Sequence, residues 1–232
     1  MMLKRAFDVV VAGTALLVLS PLLLPIAALL RVTGEGEVFY RQERVGRGGK
    51  RFRIYKFATM LKDSPNLLGG DITIDKDPRI LPYGRFLRKT KINELPQLLN
   101  VIAGDMSIIG PRPLTPRVAA LFPAHYWESI SELRAGLSGV GSIVFRDEEC
   151  LLSAAGDRER VYAELIVPYK MALENWYLRN QSFTLDLKLI ALTLLAVLYR
   201  NLDVSRVLGG LPPPAEAFTA LRSIGIARER GQ

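Results

Sequence analysis

Cysteine and histidine are almost absent from this chain of 232 residues, which contains one of each, Cys150 and His125. A single cysteine excludes a disulfide within the chain and fits a reducing compartment. A single histidine excludes any metal site built from several imidazoles. We therefore expect carboxylates and lysines to carry any proton transfer.

The composition also lacks the features of a disordered chain. Hydrophobic residues make up 49% of the sequence, and the length fits one domain plus an attachment. The 31 Lys and Arg residues outnumber the 23 Asp and Glu residues and give a net charge of +8. Such a charge favours an anionic partner, which could be nucleic acid, anionic lipid or nucleotide phosphate.

A long apolar segment occupies residues 6–30, AFDVVVAGTALLVLSPLLLPIAALL, and contains one charged residue, Asp8. A straight helix of this length would extend about 37 Å, whereas the hydrocarbon core of a bilayer is about 30 Å thick, so a single span is permitted. Ser20 and Pro21 lie near the middle, where proline removes a backbone donor and predicts a sharp kink or break.

Basic residues flank both ends of this segment, and such residues favour the cytoplasmic side of a membrane. They are Lys4 and Arg5 before it, and Arg31, Arg41, Arg44 and Arg47 after it. We therefore predict a re-entrant membrane helix over residues 1–32, broken at Ser20-Pro21. A single signal-anchor span is the alternative. A cleaved signal peptide does not fit, because the apolar stretch is too long and no small-x-small cleavage site follows.

Two short runs rich in aromatic and β-branched residues, EVFYRQERVG and KRFRIYKF, flank a glycine-rich turn at residues 46–49. This pattern predicts a small β-hairpin. Its basic residues are numerous enough to contact lipid headgroups or a substrate phosphate, and a solvated basic surface gives the same pattern. Residues 61–78 are predicted to form an irregular, mobile loop.

A helix signal follows in the segment NELPQLLNVIAGDM. Four apolar residues recur at helical spacing and are expected to face a core: Leu95, Leu98, Leu99 and Ile102. Asn93 and Glu94 stand at the start of this helix. In a structural interpretation, Asn93 caps the helix and Glu94 complements its dipole.

The same helix start also supports a functional interpretation. Five cations precede it: Arg79, Arg85, Arg88, Lys89 and Lys91. A helix N-terminus beside cations binds phosphate well. The segment therefore predicts a site for an anionic, phosphate-bearing substrate.

The C-terminal region predicts two helices separated near residues 180–182. The apolar stretch 189–199 would be about 16 Å long as a helix and is too short to span a membrane. It is either a core helix or an interfacial helix whose aromatic neighbours lie at headgroup level: Trp176, Tyr177 and Tyr199. GGLPPP at 209–214 ends this region, and the tail 201–232 is expected to be loosely attached. The predicted fold class is α+β, mainly helical.

Five motifs follow one another along the chain: KRAFD, SPLL, VFYRQERVGRGGKRFRIYKFATM, GRFLRKTKINELPQLLNVIAGDMSIIGPRP and GLSGVGSIVFR. This ordered set resembles the bacterial sugar transferase family, the monotopic phosphoglycosyl transferases that begin polysaccharide or glycan assembly. The similarity covers roughly residues 3–200.

The resemblance implies transfer of a sugar-1-phosphate from a UDP-sugar to a polyprenyl phosphate such as undecaprenyl phosphate. It implies a re-entrant helix broken at Ser20-Pro21, amphipathic interfacial helices, and a catalytic domain at residues 33–200. That domain would lie on the cytoplasmic face of the bacterial inner membrane. Its partners would be the two substrates and membrane lipid, and not nucleic acid.

The family's chemistry depends on an aspartate–glutamate pair, in which the aspartate attacks the phosphoryl group and the glutamate helps to hold Mg²⁺. Here the pair is Asn93-Glu94. A carboxamide is a poor nucleophile because it lacks an ionised oxygen. Three hypotheses follow. Glu94 is the nucleophile, or the lipid phosphate attacks directly while Mg²⁺, Arg88 and Arg112 neutralise charge, or the protein is an inactive relative that binds a substrate or partner.

The resemblance also implies cations that bind substrate. Arg88 resembles a phosphate-contacting arginine, and Arg112 resembles one that engages the nucleotide or its phosphates. Arg146 occupies the place of a substrate-binding arginine, and Lys56 matches a family lysine. Ala58 replaces an arginine that the family usually has. The rival interpretation is a membrane-anchored basic binding protein without catalysis.

Overall fold

The computed structural model describes residues 2–67, 77–154, 157–199, 204–220 and 223. The α-helices are α1 Met2–Val32, α2 Pro82–Lys89, α3 Leu98–Ala103, α4 Pro116–Ala119, α5 Ala124–Ser129, α6 Val140–Val144, α7 Glu148–Ala154, α8 Arg158–Val161, α9 Val167–Asn180, α10 Phe183–Leu198 and α11 Val204–Val207. Residues 216–220 are also helical. The strands are β1 Phe39–Val45, β2 Arg51–Phe57, β3 Met106–Ile109 and β4 Ala135–Ser138.

Three short 3₁₀ segments and one π-helical segment join these elements: Arg47–Gly49, Ser64–Asn66, Ile92–Gln97 and Tyr162–Ile166. The expected mainly helical class with a small hairpin is confirmed. The predicted loop at 61–78 contains the second 3₁₀ segment, and its residues 68–76 lie outside the described part of the chain.

Strands β1 and β2 form the antiparallel hairpin that the glycine-rich turn predicts. Tyr40 pairs with Lys56, and Arg44 pairs with Phe52, so these side chains lie on one face of the ribbon. Ile54 lies on the same face and is 1% exposed. The hairpin therefore directs two of its basic side chains, Arg44 and Lys56, toward the interior.

Helix α1 continues through Pro21 and Pro25 without interruption. Proline at position 21 leaves the carbonyl of Leu17 without its backbone donor, and the Ser20 hydroxyl donates to that oxygen at 2.7 Å instead. The helix is therefore not divided into two segments at Ser20-Pro21, and a kink there, the other expected form, stays a prediction. The helix is long and apolar enough to cross a membrane, and only 11% of its most apolar window is buried.

The first turns of α1 are fastened to the rest of the protein by charged side chains. Lys4 Nζ donates to Asp186 Oδ2 at 2.6 Å. Asp8 is 1% exposed, and its carboxylate accepts from the Ser107 hydroxyl at 2.8 Å and from the Ile108 amide at 3.2 Å. Asp8, the single charge of the apolar segment, is thus a satisfied buried acceptor.

The other end of α1 contacts the same folded domain through apolar side chains. Leu23 and Leu30 are buried in a cluster with Phe57 of the hairpin and Leu87 of α2. Leu30 is completely buried. Both ends of α1 therefore contact the same domain, whereas most of its apolar window is exposed.

The helix predicted after Asn93 is present in two pieces, a 3₁₀ segment followed by α3. A 3₁₀ helix has about 3.0 residues per turn, so the apolar face changes direction at the junction. Leu98 and Val101 are buried, whereas Leu99 and Ile102 are about 40% exposed. The expectation that Leu99 and Ile102 face the core is therefore wrong.

Strands β3 and β4 form a parallel pair that the sequence did not predict. Close backbone contacts at its end require glycine, because a Cβ at Gly110 would overlap the Arg134 carbonyl and one at Gly139 would overlap the Gly110 carbonyl. Gly110 N donates to Ser138 O at 3.0 Å. The segment that carries Arg112 therefore leaves β3 from a rigid support.

Helices α9 and α10 confirm the two predicted C-terminal helices. Leu189 and Leu192 of α10 are buried, whereas Leu194 is 64% exposed. Tyr177 is 1% exposed and donates to Asp186 Oδ1 at 2.7 Å, so it does not lie at headgroup level as the interfacial alternative required.

The described part of the C-terminal tail packs on the domain. Val204, Leu208 and Phe218 belong to the main hydrophobic core. Phe218 is 1% exposed and meets the rings of Phe145 and Tyr169 at centroid distances of 5.2 and 5.1 Å. The expectation of a loosely attached tail is therefore wrong for these residues, because the aromatic contacts offset the loss of chain freedom.

Candidate active site

The site centres on the carboxylate of Glu94, which contacts two cations. Lys56 Nζ donates to Glu94 Oε1 at 2.9 Å, and Arg112 Nη2 donates to the same oxygen at 3.0 Å. Glu94 lies in the 3₁₀ segment, Lys56 near the end of β2, and Arg112 just after β3. Three separate parts of the chain therefore meet at one carboxylate, and the assignment of Lys56, Glu94 and Arg112 to a substrate site stays a prediction.

The cations keep Glu94 ionised. Burial raises the pKa of its carboxyl, but Arg112, Lys56 and Lys91 outweigh burial and hold that pKa well below its usual range. Glu94 in turn raises the pKa of the Arg112 guanidinium. The carboxylate therefore carries its full charge at every physiological pH.

The surroundings of Lys56 disfavour its charged form, in contrast to those of Glu94. Burial lowers the pKa of its ammonium most, Arg112 and Arg44 also lower it, Glu94 opposes them, and the resulting pKa is about 7. Lys56 thus titrates near neutral pH. Lys56 and Arg112 contact one carboxylate, and Arg44 lies close enough to lower the pKa of Lys56, so this excess of positive charge suits an anionic ligand such as a diphosphate.

Asn93 has a side-chain oxygen without a partner. The residue is 4% exposed, and Oδ1 is buried and accepts no hydrogen bond from the described residues. The chain reaches it through Lys91, which has a φ of 60°, in the left-handed region that non-glycine residues rarely adopt. A buried unpaired amide oxygen is costly, and together with the strained backbone it is typical of a functional position.

Two predicted site residues lie outside this cluster. Arg88 forms an ion pair with Glu149, and its Nη1 lies 3.6 Å from Met60 Sδ. Arg146 donates to the Tyr199 carbonyl at 3.1 Å. Neither arginine contacts Glu94, so the structure brings together Lys56 and Arg112 but not Arg88 and Arg146.

One of the cations predicted to bind phosphate has a structural role instead. Arg79 is 3% exposed, and its guanidinium donates to both carboxylate oxygens of Asp77, at 2.9 and 2.6 Å, and to the Ser64 carbonyl at 2.8 Å. Its assignment to the phosphate site is therefore wrong, because its donors are already used.

Sequence reasoning missed residues that border the site. Arg44 was recognised only as a basic hairpin residue, although strand alternation places it on the face of Ile54 and Lys56. Lys170 is buried and donates to both Glu148 oxygens, at 2.8 and 2.9 Å. No sequence signal links Lys170 to Glu148, because they are separated by 22 residues and meet only in the fold.

A magnesium ion was expected at Glu94. Within the described residues, no group of three or more His, Cys, Asp or Glu side chains could hold a metal ion. Glu94 Oε2 and Asn93 Oδ1 accept no hydrogen bond from that part of the chain. Protein-bound Mg²⁺ commonly uses one carboxylate together with substrate phosphates and water. These two oxygens are therefore the groups of the cluster that could hold Mg²⁺, and the expected magnesium ion stays a prediction.

Known proteins resemble this chain over most of its length. The profile of the family described as bacterial sugar transferase matches residues 1–200. Exopolysaccharide production protein ExoY of Rhizobium meliloti is 34% identical over 213 residues, which cover 84% of this chain and 85% of the relative. Undecaprenyl-phosphate galactose phosphotransferase of Salmonella typhimurium is 32% identical over 217 residues, covering 86% of this chain and 41% of the relative.

A third relative carries the name of its donor. The UDP-N-acetylgalactosamine-undecaprenyl-phosphate N-acetylgalactosaminephosphotransferase of Aeromonas hydrophila is 34% identical over 200 residues, which cover 84% of this chain and 44% of the relative. The family match includes the Glu94 cluster and the whole of α1. The chain therefore belongs to the bacterial sugar transferase family.

Proposed function

We propose that the protein transfers a sugar-1-phosphate from a UDP-sugar to undecaprenyl phosphate and so initiates an exopolysaccharide. The observation that carries this proposal is the Glu94 carboxylate, held by Lys56 and Arg112 in a cluster with excess positive charge. Relatives named as undecaprenyl-phosphate sugar phosphotransferases support the same reaction. A diphosphate donor and a phosphate acceptor both need such a cationic site.

The transfer proceeds by direct attack. A phosphate oxygen of the lipid forms a bond to the β-phosphorus of the UDP-sugar, and the bond from that phosphorus to the oxygen bridging it to the α-phosphate breaks. UMP leaves with this electron pair, and the lipid carries a diphosphate sugar. Arg112, Lys56 and Arg44 stabilise the charge that moves onto the leaving phosphate.

Direct attack follows from the state of Glu94. Asn93 lacks the ionised oxygen of a nucleophile, and the cations on Glu94 Oε1 make that carboxylate weakly basic. Glu94 therefore orients Lys56 and Arg112 and does not attack the β-phosphorus. Mg²⁺, when bound by Glu94 Oε2 and Asn93 Oδ1, would neutralise charge on the diphosphate.

The membrane placement of α1 is part of the proposal. Lys4 and Asp8 at one end and Leu30 at the other contact the same domain, which supports a helix whose two ends lie on one side of the bilayer. The basic flanks favour the cytoplasm for that side, and the proposed membrane is the bacterial inner membrane. The exposed face of α10, with Leu187 and Leu194, lies at the interface and brings the site to the lipid phosphate.

A nucleotide-release assay tests this function. Purified protein should release UMP from a UDP-sugar only when Mg²⁺ and undecaprenyl phosphate are both present. Release without acceptor, in a single burst of one equivalent, would contradict direct attack and make Glu94 the nucleophile. The Asn93→Asp variant is the matched control, because a buried carboxylate there should create such a burst. Absence of UMP under every condition would contradict the transferase itself.

A further inference from the structure

An open groove of about 630 Å³ lies beside the N-terminal end of α1, and no residue of the Glu94 cluster lines it. Its lining combines three arginines with apolar side chains, and none of the described residues that line it is acidic. We call it the N-terminal groove, and its principal residues are Arg5, Arg47, Arg134, Met2, Val9 and Val10.

The end of α3 fixes two of these arginines in place. Arg5 donates from its terminal nitrogens to the carbonyls of Val101 and Ile102, and Arg134 Nε donates to Gly104 O at 3.1 Å. Gly104 has a φ of 98°, and a Cβ there would lie 3.4 Å from an Arg5 nitrogen. The left-handed backbone of this glycine therefore ends the helix, and a side chain there would be strained by its φ and not by the guanidinium.

These structural contacts leave donors unused. Arg134 uses only Nε, so its two terminal nitrogens have no partner in the described part of the chain. Arg47 pairs through one terminal nitrogen with Glu132, which is exposed at the surface. The groove therefore presents a positively charged wall with free hydrogen-bond donors that are already oriented.

The part of the groove lining that α1 contributes is apolar apart from Arg5. Val10 is 65% exposed and Met2 is 89% exposed. These residues lie where the basic Lys4 and Arg5 give way to the apolar stretch, which is the level of lipid headgroups when such a helix meets a membrane. An occupant must therefore be anionic at one end and apolar at the other.

We propose that the N-terminal groove binds one anionic glycerophospholipid. Arg134 and Arg47 hold its phosphate, and the upper part of an acyl chain covers Val9 and Val10. A free phosphate would leave this apolar wall uncovered, whereas a phospholipid satisfies both walls. The inference rests on the membrane placement proposed for α1, and it adds a lipid site separate from the one where chemistry occurs.

Native mass spectrometry of the full chain tests the proposal. Protein in a nonionic detergent is titrated with phosphatidylglycerol or phosphatidylcholine, and bound lipid is counted. One phosphatidylglycerol should bind, and the double variant Arg47→Gln/Arg134→Gln should weaken it by roughly tenfold or more. Arg117→Gln/Arg160→Gln is the charge-matched control, because both arginines lie outside the groove and pair with Glu159 and Glu164 at the surface, and it should leave binding unchanged.

A second variant keeps all charges. Val10→Trp should fill the groove and displace the lipid without affecting the fold, because Val10 is exposed. Equal binding of phosphatidylcholine, unchanged binding in both variants, or competition by inorganic phosphate alone at the same concentration would overturn the proposal. Stoichiometric displacement by undecaprenyl phosphate would also overturn it and reassign the groove to the acceptor. Because lipid binding is read directly, failure here leaves UMP release untouched.

Discussion

Glu94 and Arg79 are both charged side chains with little exposure, but their partners differ. Arg79 meets one carboxylate, Asp77, with ideal geometry, and a backbone carbonyl accepts from its remaining side. Glu94 meets Lys56 and Arg112 on one oxygen, and Arg44 adds a further positive charge nearby. The first group is balanced in charge, and the second has a positive excess.

This difference in charge balance distinguishes a group that stabilises the fold from one that can bind a ligand. A closed buried pair has no capacity for a ligand, and its removal leaves an uncompensated charge that destabilises the fold. A cluster with excess charge and a free carboxylate oxygen is complete only when an anion binds. Buried charged residues therefore stabilise the fold where the local charge is balanced, and they bind a ligand where one charge is in excess.

The largest expected effect is on activity at Glu94. Glu94→Gln should lower UMP release by about 1000-fold, because the neutral amide no longer orients the two cations or offers a charged oxygen to the diphosphate. The measurement is steady-state UMP release at saturating substrates. A variant that keeps more than a tenth of the activity would contradict the assigned role, provided that its thermal unfolding matches that of the original protein.

The balanced pair should respond in the opposite way. Asp77→Asn should reduce the free energy of unfolding by about 3 kcal/mol, because Arg79 is left buried without its counter-charge. UMP release per folded molecule should stay unchanged. Denaturant unfolding measures the free energy of unfolding, and the rate of UMP release divided by the amount of folded protein measures the activity. Loss of activity without loss of stability would show that Arg79 belongs to the substrate site.

The pH dependence of UMP release tests whether the charge of Lys56 is needed for activity. Its pKa is lowered to about 7, chiefly by burial, so it loses its proton as the pH rises through neutrality. Well above that pKa, UMP release should fall about tenfold for each pH unit. Lys56→Arg keeps the charge, since arginine stays protonated, and should retain its rate to higher pH. The same decline in both proteins would assign the titration to another group.

The smallest effect is expected at the ion pair between Arg88 and Glu149. Glu149→Gln should change the free energy of unfolding by less than about 1 kcal/mol, because the Glu149 side chain is 43% exposed and solvent screens the pair. If Arg88 contacts substrate phosphate, the variant should also bind the UDP-sugar more tightly. Calorimetric titration of donor into both proteins measures this, and weaker binding would exclude Arg88 as a phosphate ligand.

Local patterns predicted much of the fold. Alternating residues around the glycine turn predicted the hairpin, and the apolar run predicted α1. The β3–β4 pair was missed because its strands have four residues each and pair across a gap in sequence. The uninterrupted α1 was missed because the Ser20 hydroxyl replaces the donor that Pro21 removes, an effect that proline statistics do not contain.

The site was predictable only in part. Glu94, Lys56 and Arg112 lie in distinctive motifs, and the resemblance to a family assigned all three to the site. Arg79 and Arg88 stand in the same cationic run, but local sequence does not reveal which cations have a carboxylate partner. Asp77 is two residues from Arg79, whereas Glu149 is 61 residues from Arg88 and meets it only after folding.

The central claim is that the Glu94 cluster transfers a phosphoryl group to a lipid. A UDP-sugar labelled with ³²P at the β-phosphate, incubated with undecaprenyl phosphate and Mg²⁺, follows that phosphorus directly. The label should enter the lipid fraction with the original protein and stay in the aqueous fraction with Glu94→Gln. Transfer of the sugar while the label remains in released UDP, or equal labelling of lipid by both proteins, would contradict the account.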